Sequence, residues 1–221
     1  MKNIFFLLLT FGYSINAQEV LKDSTRVQNL EEVIVSSIRV DDNIPIAYNN
    51  LSKDEISDRN LGQDLPILLN FLPNVVTTSD AGAGIGYTGI RIRGINSQST
   101  NVTINGIPYN DAESNLTYWV DLPDFSSSIE NLQVQRGIGT SVNGSGAFGA
   151  SINILTDNIS QDPFFESNNT LGSYNTYKNT FRFSTGLLND VFEFSGRLSK
   201  IDSDGYIAVS YTHLRAHETI D

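Results

Sequence analysis

The chain has 221 residues, no cysteine and a formal net charge of −11 at neutral pH. Disulfide staples and thiolate chemistry are therefore excluded, and an acidic chain without a basic patch lacks the footprint for a phosphate backbone, so no nucleic-acid partner is expected. Hydrophobic residues make up 39% and charged residues only 18%. Much of the polarity comes from Asn, Ser, Thr and Gly, the profile of a β-rich, turn-rich chain.

At the start, Lys2, the apolar run over residues 4–11 and the small Ala17 before Gln18 make the pattern of a secretory signal peptide over residues 1–17. The run is too short for a bilayer, which takes about 20 residues. No other stretch approaches a transmembrane helix, so a membrane role requires a β-barrel. Residues 18–43 are polar, apart from a β-prone segment at 30–37 centred on Glu32, Val33, Ile34, Val35 and Ser36. Such a segment suits addition to the sheet edge of a partner, or it is the first strand of the next unit.

Residues 44–160 read as one α/β unit. Ser52 followed three residues later by Glu55 is a capping box and starts a short helix. A second helix is predicted over 61–71, stopped by Leu72-Pro73. Strands follow at 88–94, 102–104, 132–136 and 150–156. Asn105-Gly106 between them is a hairpin signal, because both residues tolerate positive φ. Five glycines (Gly137, Gly139, Gly144, Gly146 and Gly149) mark a tightly turned, closely packed stretch.

Beyond Pro163 the period changes to two. Tyr177, Phe181, Phe183 and Thr185 share one face, and Lys178, Thr180, Arg182 and Ser184 the other. After a turn at Asn189-Asp190, Phe192, Phe194, Gly196 and Leu198 oppose Glu193, Ser195, Arg197 and Ser199. This is the dyad of a transmembrane β-hairpin with aromatics outward; a hairpin of a soluble sandwich has the same period.

Five stretches together resemble the plug of TonB-dependent outer-membrane receptors. They are Ile90-Arg91-Ile92-Arg93-Gly94, Val102-Thr103-Ile104-Asn105-Gly106-Ile107-Pro108, Ile129-Glu130 through Arg136-Gly137, the glycine-rich close over 141–156, and Leu72-Pro73-Asn74-Val75 with Asn where the family has Gly. The resemblance implies an α/β plug domain, a small mixed sheet with short helices, followed at 161–207 by the first antiparallel strands of an incomplete transmembrane β-barrel. It makes 30–37 a TonB box, recognised through Glu32, Val33, Ile34, Val35 and Ser36 by a periplasmic TonB-type energy transducer. It implies that Arg91, Arg93 and Arg136 lock the plug to glutamates of the barrel wall. Tyr87, Tyr109, Tyr118 and Trp119 fall in loops that would face substrate, to stack on it or to pack against the wall. The expected partners are the transducer, outer-membrane lipid around the barrel, and a small-molecule or metal-chelate substrate such as a ferric siderophore. No enzymatic activity, cofactor or metal is expected.

Residues 208–221 break the alternation and resemble translated adapter sequence, so they are expected to be non-native. They contain His213 and His217, the two histidines of the chain. A zinc-hydrolase reading fails because Leu214 stands where the motif needs Glu. A closed barrel of this family needs at least about 220 residues in strands alone, so the chain is expected to be a fragment. The competing reading is an exported soluble α/β ligand-binding module.

Overall fold

The structure, a computed structural model, describes residues 39–40, 44–138, 148–156, 158–189 and 191–207. The predicted signal, the 30–37 segment, residues 139–147 at the start of the glycine-rich close and residues 208–221 lie outside the described residues.

The first element among the described residues is strand β1 (Tyr48–Ser52). It runs straight into helix α1 (Lys53–Ser57), and Ser52 caps that helix as expected. The Glu55 amide donates to Ser52 Oγ, and the Ser52 amide donates to Glu55 Oε2 at 2.9 Å. Helix α2 covers only Leu65–Leu68, much less than the predicted 61–71. Gly62 sits at φ 112 and Asp64 at an extended N-cap, so the backbone before Leu65 is not helical. Pro66 occupies the first turn, where its missing N–H costs nothing.

A hairpin follows, β2 (Val75–Ser79) with β3 (Thr88–Ile92). The predicted strand 88–94 ends early, because Arg93 and Gly94 turn the chain at φ 55 and 75. Strands β4 (Thr100–Ile104) and β5 (Ile107–Pro108) flank the expected tight turn, with Asn105 and Gly106 at φ 50 and 83. Asn74, where the family pattern has Gly, is at φ 63; Asn is the residue after Gly that best tolerates this region.

Strands β6 (Ile129–Arg136) and β7 (Ala150–Thr156) complete a five-stranded sheet in the order β1-β6-β7-β4-β5. All pairs are antiparallel except β4 with β7, so the sheet is mixed as expected. Register sorts its two faces. Leu132, Val134, Ile152, Ile154 and Val102 fall on one face and form the core with Leu65, Leu69 and Ile92. Gln133, Gln135, Ser151, Asn153 and Thr103 fall on the other, also buried, with Thr103 Oγ1 donating to Asn153 Oδ1 at 2.8 Å.

Strands β8 (Phe164–Gly172), β9 (Thr176–Leu188) and β10 (Phe192–Asp202) form an antiparallel meander. On β9, Tyr177 and Phe181 are exposed, whereas Lys178, Thr180 and Ser184 are buried. On β10, Phe192, Phe194 and Leu198 are exposed. Aromatics therefore point away from the first sheet, as the dyad predicts. Gly186, at φ 66, lies where residues 161–163 cross; a Cβ there would stand 2.7 Å from Pro163 N. No helix among the described residues is long and apolar enough to cross a membrane, which says nothing of a β-barrel.

Candidate functional site

The most heavily satisfied charge cluster joins the two β units at Asp124. That residue starts a short 3-10 turn (Phe125–Ser128) with a left-handed backbone, φ 50, which aims its side chain at the meander. Its carboxylate pairs with Lys178 Nζ of β9 at 2.7 Å and with Arg197 Nη1 of β10 at 3.3 Å. Ser127 Oγ donates to Oδ1 at 2.6 Å and Thr180 Oγ1 to Oδ2 at 2.8 Å, and Ser199 Oγ donates to Oδ2 as well. Arg197 also donates to the Asp124 carbonyl. Lys178 completes its coordination on Asn60 Oδ1 at 3.0 Å and Ser127 Oγ at 3.2 Å.

The Lys178 and Asp124 side chains are 3% and 1% exposed, so the pair is removed from water. Burial pushes the Asp124 carboxyl up, but hydrogen bonds from Lys178, Ser127 and Ser199 and the Lys178 charge outweigh it and hold the carboxyl below its ordinary range. A buried carboxylate with this many donors is a docking point, and its energy comes from geometry as much as from charge. Sequence reasoning places Lys178, Thr180 and Arg197 on the inward face but assigns Asp124 nothing. The available signal was the cations Lys178, Arg182 and Arg197 on faces otherwise rich in Ser and Thr.

The predicted arginines fall in two places. Arg93 and Arg136 meet at one corner: a Cβ on Gly137 would stand 2.6 Å from Arg93 Nη1. Arg136 Nη1 donates to the Pro73 carbonyl at 3.3 Å, and the Arg93 amide donates to the Asn74 carbonyl. Arg91 is exposed on β3. Among the described residues none of the three pairs with a carboxylate.

Of the four aromatics expected to face substrate, Tyr87 and Tyr118 are exposed. Tyr109 is half-buried against the core, and burial, with Asp121 nearby, raises its pKa. Trp119 is placed differently from the expectation. It is 3% exposed and belongs to the core, so its ring is not offered to a ligand. It opens a 3-10 turn (Trp119–Asp121) that folds it inward.

The two loops are held from within. Asn110 acts as a strand surrogate on the β4 edge, accepting from the Val102 amide at 2.7 Å and donating to the Thr100 carbonyl at 2.9 Å. Asp111 Oδ1 accepts from the Ser114 amide and hydroxyl, each at 2.7 Å; the amide bond first and the hydroxyl next lower its pKa. The 80–87 loop is tied to α2 through Asp64: its amide donates to the Gly84 carbonyl at 2.8 Å, and its Oδ2 accepts from Thr88 Oγ1 at 2.9 Å. The same loop meets the chain leaving β10, where the Tyr206 and Ile207 amides donate to the Ala81 carbonyl. Tyr206 stacks edge-on against Tyr174 of the β8–β9 turn, with ring centroids 5.5 Å apart. The 80–87 loop, the β8–β9 turn and the end of β10 therefore collect at one end of the meander.

No group of three or more His, Cys, Asp or Glu among the described residues is placed to hold a metal. Glu32, Val33, Ile34, Val35 and Ser36 lie outside the described residues, as do His213 and His217.

Comparison with known proteins accounts for this arrangement. The family described as TonB-dependent Receptor Plug Domain matches residues 40–151. The vitamin B12 transporter BtuB of Vibrio vulnificus is 31% identical over 206 residues, covering 90% of this chain and 31% of the transporter. Among solved structures, the ferric yersiniabactin uptake receptor FyuA of Yersinia pestis superposes with a TM-score of 0.53 at 17% identity, over 70% of this chain and 24% of the receptor. The outer-membrane ferripyoverdine receptor of Pseudomonas aeruginosa superposes with a TM-score of 0.56 at 16% identity, over 73% of this chain and 21% of the receptor. The chain thus spans about a third of the transporter, and less of the two receptors. With residues 40–151 as the plug and the aromatic-faced meander following it, the chain belongs to the TonB-dependent receptors.

Proposed function

We propose that this chain is the gating and energy-coupling part of an outer-membrane transporter that imports a scarce, bulky nutrient of the ferric-siderophore class. The observation that carries the reading is the Asp124 site. It docks the plug onto the polar face of strands whose opposite face exposes Phe165, Phe181, Phe192, Phe194 and Leu198. That apolar face suits lipid and would be a liability in water, which disfavours the soluble-module reading.

In this reading residues 1–17 direct export, and 30–37 is the strand captured by the periplasmic transducer. The Arg93–Arg136 corner, joined by Arg91, meets wall carboxylates outside the described residues. Tyr87 and Tyr118 face the substrate. The relatives are named for vitamin B12, ferric yersiniabactin and ferripyoverdine, which supports a bulky chelate as cargo.

The test is binding of the transducer's purified periplasmic domain to outer-membrane vesicles carrying the full-length protein. Binding is expected, and Ile34→Pro should abolish it, because Pro removes an N–H needed for strand pairing. No binding by the unmodified protein overturns the reading.

A further inference from the structure

Gln133 sits in the middle of β6, between Leu132 and Val134, which point into the core. Its own side chain points to the opposite face and is 1% exposed. The amide there grips a distant part of the chain. Oε1 accepts from the Val40 N–H at 2.8 Å, and Nε2 donates to the Val40 carbonyl at 2.9 Å. These are the two bonds that a residue of a neighbouring antiparallel strand would exchange, supplied here by one side chain. The amide's remaining capacity is filled as well: Nε2 donates to Asn50 Oδ1 at 2.8 Å, and Oε1 accepts from Gln135 Nε2 at 2.9 Å. Two positions along β6, Asn131 Oδ1 accepts from the Arg39 guanidinium. Residues 39–40 are thus held to the middle of the sheet by alternate side chains of one strand. Val40 itself is 4% exposed.

We infer that Gln133 is a positioning residue for energy coupling: a latch that fixes the chain at Val40 and so sets the reach of the partner-binding segment upstream. This rests on the reading that residues 30–37 bind the transducer. Downstream of Val40 the next backbone bond to β6 among the described residues is from the Arg136 amide to the Ala47 carbonyl, followed by the five residue pairs of the β1–β6 ladder. Among the described residues, tension from the upstream side therefore meets these three side-chain bonds before the ladder. With the latch open, the next tie among the described residues is at Ala47, seven positions on, about 24 Å of extended chain. That length adds to the reach of the upstream segment, with the sheet intact.

This chain has no cysteine, and with any cysteine in the rest of the receptor replaced by serine, one label reports one place. A nitroxide on Ser37→Cys in the full-length receptor, in outer-membrane vesicles, reads the mobility of the upstream segment. Val40→Pro removes the donor to Oε1 and leaves β6 untouched; Gln133→Leu removes the whole grip. Each is expected to shift the label to its mobile component with the thermal unfolding midpoint of the plug retained. Each is also expected to tighten transducer binding about tenfold, the factor gained when a minor competent state becomes the dominant one. Identical spectra in the parent and both variants overturn the latch. A mobile label with unchanged transducer affinity overturns its coupling role while the transport reading stands. Failure of the unmodified receptor to bind the transducer overturns that reading itself.

Discussion

Asp64 and Asp124 are both nearly buried carboxylates, and their surroundings push them in opposite directions. Asp64 is raised to about 7, chiefly by burial, with hydrogen bonds from Thr88 and Gly86 opposing. In the unfolded chain it titrates near 4. Between those values the folded chain keeps a proton that the unfolded chain has released, so its contribution is full below about pH 4 and fades as pH rises through about 7. Asp64→Asn keeps an acceptor for Thr88 and removes the charge. We expect the variant to lose this pH slope and to be more stable at pH 8 by up to about 4 kcal/mol, as read from denaturant unfolding across pH. Asp124 carries the reverse dependence: its depressed pKa makes a contribution present above about pH 4 and lost on acidification. Neither behaviour was legible beforehand. The sequence places Asp64 only inside the predicted 61–71 helix and assigns Asp124 nothing, because burial and a cation 54 residues away are tertiary facts.

Elements whose signal is local were legible, and those defined by their partners were not. The Ser52–Glu55 capping box and the Asn105-Gly106 turn depend on neighbouring residues and formed as expected. The meander strands β9 and β10 carry a strong dyad and have the predicted faces. Strand β8 falls inside the 161–207 strand region but was not singled out, because its Asn168, Asn169 and Thr170 carry no apolar alternation and it exists through pairing with β9. Strands β1 and β2 were missed for the same reason, and the predicted helix over 61–71 shrank to one turn at Gly62 and Pro66. On β9, Gly186 belongs to the crossing of residues 161–163: a substituent would also stand 2.9 Å from the Gln161 carbonyl oxygen. Gly186→Val combines this clash with a β-branched residue at φ 66, and should destabilise the protein by about 2–4 kcal/mol. Gly186→Ala should do less. An unchanged melting temperature for the valine variant would show that the crossing is not held there.

At the scale of the whole molecule, the plug and the meander meet through a polar site instead of a continuation of the core. The resemblance anticipated arginines of the plug pairing with acids of the wall. The Asp124 site inverts that polarity, with the acid on the plug and the cations on the strands. Breaking a buried pair leaves an uncompensated charge, a cost of about 3–5 kcal/mol. Asp124→Asn and Lys178→Met should each destabilise by about that much. The double variant should cost less than their sum by at least about 1 kcal/mol, measured by unfolding in a double-mutant cycle. Strict additivity would mean that the two side chains do not act as a unit.

The Asp124 site also imposes an order in time. Lys178 follows it by 54 residues and Arg197 by 73, so each contact closes a long loop, an entropic cost that grows only slowly with length. Until those strands arrive, a hydrated carboxylate on the plug has no cation to claim it, and the plug remains unattached. The first cation to arrive is on β9 and the second on β10, so closure at one hairpin prepares the acceptor for the next. One plug carboxylate thereby ties together two strands that the chain reaches only 54 and 73 residues later, a strongly non-local pairing.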